Sequence, residues 1–256
     1  MLDLYATDLI RYSRSEEGYG KYIQCGELWR KAIGAYLEAL ANAGEKHRAR
    51  QLIAELRNDL RGHVQTWGNT GYVLFNLGDV RSTIDWLADW RERAEVESWM
   101  LWNLSVALST DGRDRESHEV CLHALTLPSD DLTQSHTLLV AFRELLGGKV
   151  VEAVSRLSAI NEPTLREWDR FLWQIVCALR DFHQMRDIET PNHVETVDRL
   201  LELMRETDYF KGSEMLVRLN RQAILYLAKD QGSLIFTLSV RARLWWASIV
   251  RSVSAR

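Results

Sequence analysis

The chain has 256 residues, 46% of them apolar and 27% charged, with a net charge of −4 at pH 7 and a pI near 6.0. That balance fits a globular chain with a sizeable core, and 3 prolines and 14 glycines argue against disorder, collagen-like repeats and turn-dense β architectures. No apolar run approaches the roughly 20 residues of a membrane span, and an acidic chain without a basic stripe argues against nucleic-acid binding.

In chain order, residues 2–14 read as a capping helix, followed by a loop around Glu17, Gly18 and Gly20. Asp3 and Asp8 interrupt the stretch where a secretory signal would be basic and then apolar. From residue 30 onward the apolar spacing is helical: Leu52, Ile53, Leu56 and Leu60 share one helix face, as do Trp86, Leu87 and Trp90. Strand-like alternation is confined to short stretches such as Leu234 to Val240. After Pro163, helices are predicted at about 164–181, 194–206, 213–228 and 233–252, with a long connection from Asp181 to Pro191. The expected class is all-α.

A repeat underlies this pattern. Trp67, Gly71, Leu74 and Gly78 recur 34 residues earlier as Ile33, Leu37, Leu40 and Gly44, and 34 later as Leu101, Ser105, Leu108 and Gly112. A further copy, two residues out of step, reads Thr137, Ala141, Glu144 and Gly148, where Glu144 fits poorly. The glycine is expected to end the leading helix of each unit with a positive φ. Small residues at Ala49, Gly71, Ser105, Ser117 and Ala141 are expected where two helices approach closely. One helix pair cannot bury its stripe alone, so pairs stack.

This arrangement resembles the tetratricopeptide repeat (TPR) family, whose 34-residue unit is a helix–turn–helix. The resemblance is good over 30–131, weaker over 134–167, and covers roughly half of the chain. The family's usual proline near the unit's end is present only at Pro128, and Leu37 replaces a small residue. The resemblance implies a right-handed superhelical solenoid with N- and C-terminal capping helices. The whole chain, 1–256, is expected to form one domain, with repeats at 30–63, 64–97, 98–131 and 134–167 and divergent helices over 168–256.

In such a solenoid the leading helices line a concave face. The family's inward positions fall on Lys31, Gly34, Ala35, Glu38, Ala41 and Asn42 in the first unit, on Gln65, Gly68, Asn69, Tyr72, Phe75 and Asn76 in the second, and on Trp99, Trp102, Asn103, Val106, Ser109 and Thr110 in the third. Asn69 and Asn103 are equivalent, and stacked amides can hold an extended peptide backbone, as related superhelices do. Trp99, Trp102 and Tyr72 offer aromatic anchors that bury large area with few torsions to freeze. The expected partner-binding set is therefore Gln65, Asn69, Tyr72, Asn76, Trp99, Trp102 and Asn103. Gly34, Glu38, Gly68 and Tyr72 do not fit the two-carboxylate clamp of chaperone-binding members.

Catalytic and metal motifs are missing from the sequence: there is no phosphate loop, GxGxxG, HExxH, EF-hand loop or CxxC pair. His118 and Cys121 are one turn apart, but His123 points elsewhere and Cys121 falls on a core position, so neither a metal nor another cofactor is expected. The dispersed cysteines Cys25, Cys121 and Cys177 fit a reducing compartment, and the expected location is cytoplasmic. The reading is a non-enzymatic interaction scaffold that binds a peptide or partner helix, and a membrane partner is not expected. The alternative is an assembly or regulatory subunit that docks through its convex face or its C-terminal segment. That segment holds Trp245, Trp246 and four arginines with no acid after Asp230, and could meet a membrane surface.

Overall fold

Four glycines set the rhythm of the chain. In the computed structural model, which describes residues 22–186, 193–207, 214–230 and 238–244, Gly44, Gly78, Gly112 and Gly148 adopt φ of +76°, +72°, +89° and +75°. At three of these turns the residue after the glycine donates its N–H to the carbonyl five positions back: Glu45 to Leu40 at 2.9 Å, Asp79 to Leu74 at 3.0 Å and Lys149 to Glu144 at 2.8 Å. This closure satisfies carbonyls left open at a helix end, and it needs the left-handed backbone that glycine adopts without strain.

Helices lie on either side of each turn. The order is α1 (Tyr22–Asn42), α2 (Lys46–Glu55), α3 (Arg57–Arg61), α4 (Val64–Asn76), α5 (Val80–Leu87), α6 (Ser98–Asp111), α7 (Asp114–Ala124), α8 (Thr133–Leu146) and α9 (Val150–Leu157). Then come α10 (Glu167–Arg186), α11 (His193–Thr207) and α12 (Glu214–Asp230), and residues 238–244 are again helical. Among the described residues there is no strand. The stretch from Leu234 to Val240 is helical where it is described, over 238–240. Helix α10 runs to Arg186, so residues 181–186 of the connection predicted from Asp181 to Pro191 are helical; its remainder at 187–191 lies outside the described residues, as do the proposed cap at 2–14 and the segment around Trp245 and Trp246.

The chain divides into two compact units, Met1–Asp111 and Gly112–Arg256. In the first, α4 packs against α1 on one side and α6 on the other, and α5 packs against both α4 and α6. Leading helices thus lie beside leading helices. Gly34 and Gly68 allow this. A Cβ on Gly34 would fall 2.9 Å from Asn69 Nδ2, and one on Gly68 would fall 2.7 Å from Met100 Cγ. Both glycines, expected on an open face, are therefore buried contacts with the next leading helix. Within the hairpin of α4 and α5, a Cβ on Gly71 would come within 2.6 Å of Leu87, which is why that position carries no side chain.

The second unit repeats the scheme. Helix α8 packs against α7, α9 and α10; α10 packs against α11 and α12; and α11 lies against α12. The helices after Pro163 therefore pack against one another and against α8. Ser117 and Ala141, like Ala49 and Ser105 in the first unit, are fully buried. Glu144, the misfit of its repeat, is 7% exposed, and Arg156 Nε donates to both of its carboxylate oxygens at 2.9 Å. A core position can hold an acid only when the charge is paired in this way.

Candidate functional site

Helix α4 has two chemically different sides. Thr66, Trp67, Thr70, Gly71, Val73 and Leu74 are buried. Gln65, Asn69, Tyr72 and Asn76, spaced at helical intervals, form the other stripe: Gln65, Tyr72 and Asn76 are exposed and Asn69 is half-buried. Two contacts fix the start of the helix. The His63 ring nitrogen Nδ1 accepts from the Gln65 backbone N–H at 3.2 Å, and the Thr66 hydroxyl donates to the Leu60 carbonyl at 2.9 Å. Beneath the stripe, Trp67 Nε1 donates to the Trp86 carbonyl and to Asp89 at 3.1 Å each, while Trp86 Nε1 returns a bond to the Trp67 carbonyl at 2.9 Å. The stripe thus lies over a buried, hydrogen-bonded floor.

A cavity of about 330 Å³ opens beside it, lined by Arg30 and Lys31 of α1 and by His63, Gln65 and Asn69. Gly34 leaves room for the Asn69 amide to lie across α1. Two of the predicted residues thus share a cavity with two cations and an imidazole that were not predicted. Lys31 carried a signal, since it falls on an inward position of the first unit. Arg30 and His63 carried little, because histidine is not among the preferred helix caps and Arg30 lies outside the repeat positions.

The structure joins Gln65 to Trp99 through a residue that sequence reasoning passed over. The Glu97 carboxylate accepts from Gln65 Nε2 on one oxygen and from Trp99 Nε1 at 3.2 Å on the other. Trp99 and Trp102 are both half-buried, and Tyr72 is 36% exposed. Asn103 differs from the expectation. It is 5% exposed and its amide donates to the Trp99 carbonyl of its own helix at 3.1 Å, whereas the Asn69 amide lines the cavity. The two asparagines are therefore not equivalent rungs of an exposed ladder. Val106 and Ser109, also expected on the open face, are buried, because α6 is enclosed from Met100 to Ser109 apart from Trp102. The 34-residue register placed these residues correctly along the helix but not in their degree of enclosure.

In the second unit the notable polar group is structural in character. Asp114, the first residue of α7, accepts from Arg143 of α8 at 2.5 Å, from both Nη atoms of Arg218 at 2.6 and 2.8 Å, and from Gln222 at 2.8 Å. Burial disfavours the charged carboxylate, but the bonds from Arg218 and Gln222 and the charges of Arg143 and Arg218 outweigh it and hold the pKa below the ordinary 3.8.

Burial holds His118 below the ordinary imidazole value of 6.5, with Arg143, Lys149 and Arg156 acting the same way and Glu144 opposing them. Cys121 and Cys177 are buried and not in disulfides, and burial pushes Cys177 up to about 11, so it is a poor nucleophile near neutral pH. Among the described residues no three His, Cys, Asp or Glu side chains lie close enough together to hold a metal ion, and no helix is long and apolar enough to cross a membrane. Comparison with protein-family models, curated proteins and solved structures finds no match for this chain.

Proposed function

We propose that the protein is a non-enzymatic, TPR-type interaction module, acting in the cytoplasm, that holds a peptide or partner helix along the leading-helix side of its first unit. The observation that carries this reading is the stripe Gln65–Asn69–Tyr72–Asn76 bordering a cavity of about 330 Å³ on a fully packed helix. Side-chain amides can bond both the N–H and the C=O of an extended backbone, and a half-exposed tyrosine adds apolar area at small entropic cost. Trp99 and Trp102 extend the surface across α6, whereas Asn103 supports α6 from within. A repeat of packed helix pairs is a natural scaffold for such a surface.

The test is selection of binders from a displayed random-peptide library on the immobilised full chain. Peptides so selected are expected to bind the N69A/Y72A variant at least about tenfold more weakly, the loss of one polar and one aromatic anchor. Helicity and melting temperature should stay near those of the wild type, since both side chains reach the surface. Unchanged affinity in the variant, or failure to enrich any peptide, overturns the reading.

A second reading, an assembly or regulatory subunit docking through its trailing helices, is favoured by exposed apolar side chains there. Val151 on α9 is 80% exposed, Val194 on α11 50%, and Leu238 on the last described helix 54%. Such residues contribute nothing to the core and offer apolar area to a partner. If this surface docks a partner, the V151D/V194D variant remains folded but elutes from native-scale complexes as the isolated chain. Co-elution identical to the wild type excludes these residues as the contact.

A further inference from the structure

Asn69 and Asn103 stand one repeat apart, and so do Gly34 and Gly68, yet the two asparagines end in different places. Gly34 is buried in α1 and faces the Asn69 side chain. A Cβ on it would fall 2.9 Å from Nδ2, but 3.8 Å from Cγ and 3.9 Å from Cβ. The amide end of Asn69 therefore lies in the notch that the missing side chain leaves. Gly68 leaves the same kind of notch on α4, but Met100 fills it, with Cγ 2.7 Å and Sδ 2.9 Å from the Cβ position. Asn103 bonds the Trp99 carbonyl at 3.1 Å instead and is 5% exposed.

Shape, not bonding, holds Asn69. Among the described residues its amide has no hydrogen-bond partner, while Gln65, a turn earlier, spends its N–H₂ on Glu97. Asn69 is half-buried and lines the cavity, so its N–H donors and its carbonyl acceptor remain unspent at the edge of the stripe. The last torsion of an asparagine is soft, and only its surroundings decide where the amide points. Here the surroundings are the bare backbone at Gly34. A methyl group there would meet the far end of a flexible side chain, so its cost falls on the direction of the amide and not on the packing of α1 against α4.

We propose that Gly34 is a positioning residue for the peptide-binding stripe: the notch it leaves aims the Asn69 amide so that its N–H and C=O together pair with one peptide bond of the bound segment. The inference rests on the peptide-binding reading above and adds the residue that decides which of two equivalent asparagines takes part. Gly34 touches no ligand and acts only through Asn69. Gly34→Ala swings the amide out of the notch and misaligns its donor and acceptor, although glycine to alanine inside a helix by itself favours the helix. Binding therefore falls while stability does not, a combination that a packing role would not produce.

The probe is the tightest peptide recovered from the displayed library on the wild-type full chain, synthesised free and titrated into the wild type, G34A, N69A and G34A/N69A. G34A should bind about five- to tenfold more weakly, the worth of one or two polar contacts. Its melting temperature should be no lower than that of the wild type. In the isotopically labelled, peptide-free G34A chain the Asn69 side-chain N–H₂ resonances should move while those of Asn103 stay in place. G34A/N69A should bind as N69A does, because a residue that acts only through the amide has no effect once the amide is gone. Wild-type affinity in G34A, unmoved Asn69 resonances, a clear fall in melting temperature, or an equal fold-loss on the N69A background each overturns the proposal. An unaffected G34A beside a weakened N69A/Y72A removes the positioning role and leaves the groove reading standing. Peptides indifferent to N69A/Y72A, or no enrichment at all, remove the groove reading and this role with it.

Discussion

Replacing Trp67 with alanine is expected to destabilise the first unit by about 3–5 kcal/mol, the cost of deleting a large, fully buried aromatic side chain whose surroundings relax only in part. The indole is more than filler. Its N–H is shared between the Trp86 carbonyl and the Asp89 carboxylate, and Arg93 lies over its ring at 4.7 Å. Arg61 converges on the same acceptors, bonding the Trp86 carbonyl at 3.1 Å and Asp89 at 2.6 Å. Burial disfavours ionised Asp89, but the bond and charge of Arg93 and the charge of Arg61 dominate and hold its carboxyl below the ordinary 3.8. The alanine variant removes the ring from between these groups and leaves a void. Urea unfolding should show a lower midpoint at an unchanged slope. Trp67→Phe separates the two contributions: it keeps most of the volume, loses the N–H, and should cost about 1–2 kcal/mol. A midpoint for the alanine variant within error of the wild type would mean that this floor does not support the stripe above it.

The second large effect concerns Asp114. Its removal leaves two arginines, Arg143 at 11% and Arg218 at 26% side-chain exposure, facing one another without their shared counter-charge. Asp114→Ala should cost about 2–4 kcal/mol, below the full value for a deeply buried pair because Asp114 is partly solvated. The D114A/R143M double variant should recover part of that loss, since it removes the more enclosed of the two guanidinium charges as well. The pH dependence has a definite sign. Because the native pKa lies below 3.8, the contribution of Asp114 is fully present above that value and is lost as pH falls through the lowered native one. The acid limb of the wild-type stability curve should therefore be steeper below about pH 4 than that of Asp114→Asn. Matching limbs would show that the carboxylate is not preferentially charged in the folded protein.

Both predictions concern contacts between segments far apart in sequence, and that marks the limit of what the sequence reveals. The glycine at each turn was legible because its cause is local: a left-handed residue has to follow the helix, and the +72° to +89° φ values appear where the spacing placed them. Gly71 and Ser117 were legible for a related reason, since a hairpin of fixed length brings its two helices together at a fixed register. Glu144 looked like an error in the pattern, and its explanation, Arg156, is a tertiary pairing twelve residues away across a turn. Asn103 was misread because periodicity gives an angular position on a helix and not what covers that side.

The amino-acid sequence alone determined the class of element and the positions of the turns, because these follow from backbone preference and from the 3.6-residue period of buried side chains. Only the tertiary structure decided which charges meet. Arg30 and Lys31 reach the same cavity as Asn69, and Asp114 reaches Arg218 across 104 residues of chain, because helices packed side by side bring together groups that no local rule relates.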